Sequence, residues 1–168
     1  MAFSGRSNVG KSSLINGLVG MHKLARASNE PGRTREVNFF DLDGRLRLVD
    51  LPGYGYARVP AKAREHWAPL LEDYLKQRPN LKLLCSLMDC RHLASPLDRQ
   101  LLDWTRHYRI ATLIVLTKCD KLSRQALAHN EQRIRQELSL GDAVQTVRCS
   151  ALKKTGRDEL WRSILASL

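Results

Sequence analysis

Residues 5–12 have the sequence G-R-S-N-V-G-K-S, which follows the phosphate-loop pattern GxxxxGK[ST]. The glycines let the backbone curl so that peptide N–H groups face phosphate oxygens. Lys11 can reach the β- and γ-phosphates, the Ser12 hydroxyl can ligate Mg²⁺, and a following helix adds its positive dipole end. The segment predicts a nucleoside triphosphate site directly after a first strand at residues 1–4, and it leaves the base undetermined.

Apolar, strand-like segments alternate with amphipathic segments along the rest of the chain, which indicates strands joined by helices. Strands are predicted at residues 1–4, 36–42, 45–50, 81–88, 110–116 and 144–149, and helices at 14–18, 62–78, 96–108, 124–138 and from Arg157 onward. Asp43-Gly44 predicts a hairpin turn, and residues 21–35 and 51–61 predict loops, the first long and mobile. We expect one doubly wound α/β domain over residues 1–168, with a mostly parallel six-stranded sheet, one antiparallel edge strand and helices on both faces.

The charge of the chain is its one unusual compositional property. Lysine and arginine total 28 against 17 aspartates and glutamates, a formal net charge of +11. A triphosphate needs only a few of these cations, so the excess predicts a polyanionic partner, most simply RNA, with scattered surface charge as the alternative. No apolar segment approaches the ~20 residues that span a bilayer. We therefore expect a cytoplasmic monomer without membrane contact, and reduced cysteines at Cys85, Cys90, Cys119 and Cys149.

Two further segments predict magnesium and switch chemistry. Asp50-Leu51-Pro52-Gly53 gives D-x-x-G at the end of a predicted strand. Asp50 can hold Mg²⁺ through water there, and the Gly53 N–H can sense a γ-phosphate. Thr34 lies in the first predicted loop, where its hydroxyl can complete the Mg²⁺ shell while the γ-phosphate is present and thereby order the loop.

The segment Thr117-Lys118-Cys119-Asp120 follows the most strand-like part of the chain and predicts the base. Guanine presents two neighbouring N–H donors that one carboxylate can accept together, whereas adenine has no such pair. A site built for such hydrogen bonds discriminates by roughly 10⁴–10⁵-fold. The stem of Lys118 can pack over the base, and the loop at Ser150 can offer the Ala151 N–H to guanine O6. The predicted ligand is GTP.

These segments, together with P-G-R-T-R-E-V-N-F-F, D-L-P-G-Y-G-Y-A and S-A-L-K-K-T-G, resemble the EngB (YihA/YsxC) family of the TrmE-Era-EngA-EngB-Septin-like GTPases. The similarity extends over essentially all 168 residues. It implies the small-GTPase form of the P-loop NTPase fold and a cytoplasmic, Mg²⁺-dependent GTPase. Its partners would be the rRNA and proteins of the large ribosomal subunit precursor, whose assembly it would assist, and the family is also associated with cell division and septation.

The resemblance also implies which residues form the site. The GTP-binding set is Gly5, Arg6, Ser7, Asn8, Val9, Gly10, Lys11, Ser12, Gly32, Arg33, Thr34, Arg35, Glu36, Asp50, Leu51, Pro52, Gly53, Thr117, Lys118, Cys119, Asp120, Cys149, Ser150 and Ala151. Lys11, Thr34 and Gly53 would serve hydrolysis, and Mg²⁺ would fall to Ser12 and Thr34, with Asp50 acting through water. Family members carry a longer segment before the phosphate loop, so we expect the first strand to be truncated.

Hydrolysis lacks its usual water-orienting residue, because Tyr54 stands where Ras-like GTPases have glutamine. Intrinsic turnover is therefore expected near the ~10⁻⁴ s⁻¹ of unassisted Ras. An arginine finger stays unassigned among Arg6, Arg33, Arg35 and Arg58. Asn8 resembles the asparagine that coordinates K⁺ beside the phosphates in some related GTPases, where the cation mimics an arginine finger; the alternative is that Asn8 only caps the loop.

Three rival functions use the same phosphate loop. A metabolic P-loop kinase would require an acceptor pocket and an accidental T-K-C-D. A membrane-trafficking small GTPase, with a non-ribosomal partner, fits poorly because the chain ends Ala166-Ser167-Leu168 without a prenylatable cysteine. A tRNA-modification GTPase would have further domains. Surface or packing roles are expected for the histidines and tryptophans, His66, His92, His107, Trp67, Trp104 and Trp161.

Overall fold

Six strands form one sheet in the computed structural model, which describes residues 1–21, 24, 37–55 and 67–167. The strands are β1 (Ala2–Gly5), β2 (Asn38–Leu42), β3 (Leu46–Asp50), β4 (Leu84–Asp89), β5 (Thr112–Thr117) and β6 (Thr146–Arg148). Their order is β2-β3-β1-β4-β5-β6, and only β2 and β3 pair antiparallel. The predicted sheet, with its antiparallel edge strand, is confirmed.

Five helices lie on the two faces of this sheet in the described ranges: α1 (Lys11–Val19), α2 (Trp67–Lys76), α3 (Pro96–His107), α4 (Arg124–Glu137) and α5 (Arg157–Leu165). Helices α1 and α5 pack on one face, where Ile15 and Ile164 are buried against Phe3 and Leu87. Helices α2, α3 and α4 cover the other face through two clusters, one around Trp67, Leu71 and Leu101 and one around Ile114, Leu127 and Ile134. This is the doubly wound arrangement expected from the alternation of elements.

Local sequence accounts for several of these elements. Asp43 and Gly44 both have positive φ angles, 54° and 66°, as a type I′ hairpin turn requires. Helix α3 begins with a capping box, in which the Ser95 hydroxyl accepts from the Asp98 N–H and the Asp98 carboxylate accepts from the Ser95 N–H, with Pro96 in the first turn. Because α3 follows the carboxyl end of β4 in the chain, its first turn lies near the edge where the parallel strands end.

The prediction of a helix over residues 62–78 is wrong at its carboxyl end, since α2 stops at Lys76; residues 62–66 lie outside the described ranges. Arg78 precedes a proline, which disfavours helical backbone, and its guanidinium lies 5.3 Å from the Phe39 ring centroid. Leu70, expected on the buried face, is 40% exposed, because the buried positions 67, 71, 74 and 75 form a stripe that leaves it to one side.

The other predicted elements are confirmed with boundaries shifted by a few residues, and most of the predicted loop at 21–35 lies outside the described ranges. Three of the four cysteines are buried and all four are free thiols, as expected. The tryptophans are core residues, since Trp67 is buried and Trp104 and Trp161 pack against the core. No helix in the described part of the chain is long and apolar enough to cross a membrane.

Candidate functional site

The predicted site segments meet at the carboxyl edge of the sheet. The phosphate loop follows β1, Asp50 ends β3, the T-K-C-D segment begins at the last residue of β5, and Ser150 lies just beyond β6. Parallel strands direct their carboxyl ends to the same edge, where ligands bind in doubly wound folds. The topology therefore brings together segments that are separated by well over a hundred residues in the sequence, from the phosphate loop to Ser150.

The phosphate loop has the backbone that its sequence predicts. Asn8 and Gly10 have φ angles of 62° and 101°, and α1 begins at Lys11. Two of the loop amides are used within the protein, because the Val9 N–H donates to the Arg6 carbonyl at 3.1 Å and the Ser7 N–H to the Tyr54 carbonyl at 2.8 Å. The amides of Ser7 and Val9 are therefore already used within the protein, and the loop does not turn every N–H toward an anion.

Lys11 and Asp50 form an ion pair inside the site. Their side chains are only 7% and 3% exposed, and the ammonium of Lys11 donates to Oδ1 of Asp50. The pair joins the first residue of α1 to the end of β3, so the residue expected on the phosphates and the residue expected near Mg²⁺ are neighbours. In the nucleotide-free protein each charge compensates the other.

The donors near this pair fit Mg²⁺ chemistry. Asp50 supplies a carboxylate and Ser12 a hydroxyl, both oxygen ligands of the kind that Mg²⁺ prefers, and Mg²⁺ at such sites takes only one or two protein ligands beside phosphates and water. The described residues contain no cluster of three or more His, Cys, Asp and Glu side chains that would hold a metal without a nucleotide. A nucleotide-dependent Mg²⁺ site is what this donor set can form.

The T-K-C-D segment is tied to the phosphate loop by two hydrogen bonds. The Thr117 hydroxyl contacts the Val9 carbonyl at 2.7 Å and the Met88 carbonyl at 3.2 Å. The Lys118 ammonium donates to the Asn8 carbonyl at 2.6 Å, with Lys118 in left-handed backbone conformation. The segment expected to recognise the base therefore also fixes two carbonyls of the phosphate loop.

Asp120 is held ready to accept hydrogen bonds. Its side chain is 8% exposed, and Oδ1 accepts from the Ser150 hydroxyl at 2.6 Å. The Ser150 hydroxyl in turn accepts from the Lys153 N–H at 3.0 Å, and Ala151 is exposed on the same loop. The hydrogen bond from Ser150 lowers the pKa of Asp120 despite partial desolvation, which keeps the carboxylate ionised and suited to two N–H donors.

The two loops at the base site are joined through their backbones as well. The Cys119 N–H donates to the Cys149 carbonyl at 3.2 Å, and the Cys149 N–H donates to the Leu116 carbonyl at 2.7 Å. Cys119 and Cys149 therefore serve this site through main-chain groups, while burial raises the pKa of the Cys149 thiol to about 12. Thiol chemistry is not needed to explain their positions.

We predict that Thr117→Val lowers GTP affinity by roughly 5–10-fold, the value of one hydrogen bond, because the Val9 carbonyl loses its tie to β5. Equilibrium binding of a fluorescent GTP analogue measures the change. Thr112→Val is the matched control, since the Thr112 hydroxyl donates only to the Ile110 carbonyl, at 3.1 Å, at the opposite end of the same strand. Equal affinities for the two variants would contradict a role of Thr117 in the site.

Asp89, at the end of β4, is a site residue that the sequence did not assign. Its carboxylate contacts Lys118 at 3.0 Å and Arg91 at 2.7 Å. Burial alone would raise the pKa of Asp89, but hydrogen bonds from Arg91 and Lys118 outweigh it and hold the pKa well below the usual range. Asp89 thus gives the Lys118 ammonium a second partner beside the Asn8 carbonyl of the phosphate loop.

Tyr54, which follows Gly53, points away from the phosphate site. It is 2% exposed, its ring lies 4.6 Å from that of Trp67, and its backbone pairs with that of Arg6. The expectation that Tyr54 cannot replace the glutamine of Ras-like enzymes is consistent with this burial. The Arg6 side chain lies beside Gly55, where its Nε would be 3.4 Å from an added Cβ.

Several predicted residues fall outside the described ranges, so the structure does not test them. They are Gly32, Arg33, Thr34, Arg35, Glu36, Arg58 and His66. Among the residues that are described, Lys153 and Lys154 are exposed next to Ser150 and Ala151, which we call the base loop. Arg157 donates to the Leu18 carbonyl at 3.2 Å. Arg157 therefore packs against α1.

Comparison with known proteins finds a family model and relatives that all describe GTP-binding proteins. The model of a family described as 50S ribosome-binding GTPase matches residues 1–118. The probable GTP-binding protein EngB of Geobacter metallireducens is 48% identical over 98% of this chain and 80% of that protein. The protein of the same name from Streptococcus pneumoniae is 44% identical over 100% of this chain and 86% of that protein.

Solved structures agree on the fold. The crystal structure of a probable GTP-binding protein EngB matches with a TM-score of 0.85 and 22% identity over 99% of this chain and 96% of that one. Era, in complex with MgGDPNP and a segment of 16S ribosomal RNA, matches with a TM-score of 0.76 and 22% identity over 99% of this chain and 55% of that one. At these identities the structures show the fold alone.

Proposed function

The chain belongs to the EngB family of GTP-binding proteins and is a P-loop GTPase, and from this premise we propose that it is a Mg²⁺-dependent GTP switch that assists assembly of the large ribosomal subunit in the cytoplasm. GTP orders the loop around Thr34, contacts the N–H of Gly53 and so creates a surface for precursor rRNA and protein, and hydrolysis to GDP releases it. The family's association with cell division and septation would then follow indirectly from ribosome supply.

The observation that carries the ribosomal part is the net charge of +11 on a domain whose anionic ligand needs few cations. Exposed Lys121, Arg124, Lys153 and Lys154 surround the base loop, where a polyanion can approach without entering the nucleotide site. The description of the matching family as 50S ribosome-binding and the ribosomal RNA bound to Era support the same class of partner.

Sedimentation of the protein with ribosomal subunits tests this proposal. We expect cosedimentation with large-subunit particles in a non-hydrolysable GTP analogue and loss of it in GDP. Binding should also weaken steeply between about 50 and 200 mM salt, because each phosphate contact releases counterions. Binding that does not depend on salt would contradict RNA as the partner. Equal binding in the GTP analogue and in GDP would contradict the GTP-dependent switch.

We assign the Mg²⁺ site of the nucleotide complex to the hydroxyls of Ser12 and Thr34, with Asp50 acting through water. When bound, Mg²⁺ neutralises charge on the β- and γ-phosphate oxygens. The protein contributes what the described residues show: Ser12 in the first turn of α1, and Asp50 at the end of β3, next to Lys11. Lys11 then supplies a second positive charge to the same phosphates.

K⁺ at Asn8 is the second cation that we propose for this site. Asn8 is exposed in the phosphate loop with a φ of 62°, and its carbonyl accepts from the Lys118 ammonium. The backbone of Asn8 is therefore held in one conformation, from which its side chain can reach a cation beside the phosphates. We expect GTP turnover to be faster in KCl than in NaCl at equal ionic strength, with Asn8→Ala abolishing the difference. Equal rates in the two salts for the unaltered protein would leave Asn8 as a loop cap alone.

A further inference from the structure

The segment Pro52–Gly53–Tyr54 is fixed by contacts to separate parts of the molecule. The Pro52 carbonyl accepts from the Trp67 Nε1–H at 3.0 Å. Gly53 packs on the phosphate loop so closely that an added Cβ would lie 3.2 Å from Ser7 Oγ. The Tyr54 N–H donates to the Gly5 carbonyl at 3.3 Å, and its carbonyl accepts from Ser7. The residue expected to sense the γ-phosphate is therefore clamped between two anchored neighbours.

The side chain of Tyr54 adds an anchor on α3. Its hydroxyl donates to Oδ1 of Asp98 at 2.5 Å, and both residues are 2% exposed. Oδ2 of Asp98 accepts from the Ser95 N–H at 2.7 Å and from the Ser95 hydroxyl at 2.5 Å. Burial first, and the charge of Asp98 second, raise the pKa of Tyr54 well above its ordinary value, so the hydroxyl stays a donor at neutral pH.

Burying a carboxylate beside Tyr54 costs more desolvation free energy than burying an apolar side chain there. The helix cap uses only one oxygen of Asp98, and a phenylalanine at position 54 would pack on Trp67 equally well without a hydroxyl to satisfy. Desolvating a charged group costs stability unless its hydrogen bonds are well made. What the polar pair supplies beyond apolar packing is direction, because a hydrogen bond fixes where the residue after Gly53 lies.

We propose that Asp98 is a positioning residue for GTP recognition, which through the Tyr54 hydroxyl holds the Gly53 N–H against the phosphate loop and so sets the preference of the protein for GTP over GDP. The two nucleotides differ only in the γ-phosphate, which is the group that Gly53 is expected to contact. A segment already held in place loses less conformational freedom when that contact forms. The proposal rests on the GTP-dependent switching described above and requires no ribosomal partner.

Tyr54→Phe and Asp98→Ala test the proposal through nucleotide affinities of the isolated protein. We expect each to weaken binding of a non-hydrolysable GTP analogue by roughly tenfold, which is the value of one hydrogen bond to a charged group. GDP binding should stay within about twofold of that of the unaltered protein. Because the two residues act through one bond, the double variant should lose little more than the worse single variant. Unchanged affinity ratios in both variants would overturn the proposal, as would equal losses for both nucleotides.

Two controls separate positioning from general structure. Ser95→Ala removes the hydroxyl of the helix cap, keeps the Ser95 N–H on Asp98 Oδ2 and leaves the Tyr54 contact, and Tyr108→Phe removes another tyrosine–carboxylate bond, from the end of α3 to Glu72 on α2 at 3.1 Å. Both should keep the native GTP-to-GDP ratio, and a tenfold change in either would attribute the effect to α3 stability. If Tyr54→Phe folds poorly, Asp98→Ala still decides the ratio. Failure of ribosome binding alone would leave these affinities unchanged.

Discussion

Asp120→Asn is expected to convert the protein from a guanine to a xanthine nucleotide binder. The carboxylate of Asp120 offers two acceptors to the N1–H and N2–H₂ of guanine, and the Ser150 hydroxyl at 2.6 Å already orients one of its oxygens. Asparagine retains one acceptor and gains a donor, which faces the N2–H₂ of guanine unfavourably but suits the C2 carbonyl of xanthine. Sites that read such groups discriminate by roughly 10⁴–10⁵-fold.

Competition binding measures this change directly. We expect GTP affinity to fall by roughly 10³-fold or more and XTP to become the preferred ligand, with an overall swing near 10⁴-fold. Asp142→Asn is the matched control, because it removes the same charge from an exposed position before β6, whereas the site lies beyond the other end of that strand. A variant that loses GTP without gaining XTP would show that Asp120 supports the loop and does not read the base.

The sequence indicated correctly that the phosphate loop, Asp50, the T-K-C-D segment and Ser150 lie at one edge of the sheet, because each follows an apolar strand and parallel strands end at one edge. Thr117 ends β5 and Asp120 follows it in this way, and Asp43-Gly44 predicts the hairpin between β2 and β3 through its positive φ preference. The end of α2 was also within reach of the sequence, since the proline after Arg78 marks it.

The partners of these residues could not be predicted, because they depend on how far apart the strand ends lie. Thr117 meets the Val9 carbonyl across 108 positions of sequence, and Tyr54 meets Asp98 across 44. The pattern Ser95-x-x-Asp98 predicts a helix cap but uses only one carboxylate oxygen, and nothing in the sequence says what the other one accepts. The local sequence pattern determines that a capped helix begins at Ser95. The partner of the other Asp98 oxygen is determined by how the tertiary fold places Tyr54 against α3.

Lys11→Met is expected to impair the protein twice, once without nucleotide and once with it. In the nucleotide-free protein it leaves Asp50 buried at 3% exposure without its ion-pair partner, and removing one member of a buried pair costs about 3–5 kcal/mol in free energy of unfolding. With GTP it removes a charge that stabilises the transferring phosphoryl group, and the loss of one such group lowers kcat by roughly 10²–10³-fold. Urea unfolding of the stripped protein and single-turnover hydrolysis measure the two effects separately.

The double variant Lys11→Met, Asp50→Asn distinguishes the two roles. It removes both charges, so most of the lost stability should return, while hydrolysis should be at least as slow as in Lys11→Met because the phosphates still lack the lysine and Asp50 no longer supports Mg²⁺. If the double variant were as unstable as the single one, the pairing of Lys11 with Asp50 would not govern the nucleotide-free state. If hydrolysis recovered together with stability, Lys11 would be acting on the fold of the site and not on the phosphates. The pair thus holds the phosphate site together until the nucleotide takes over one of its partners.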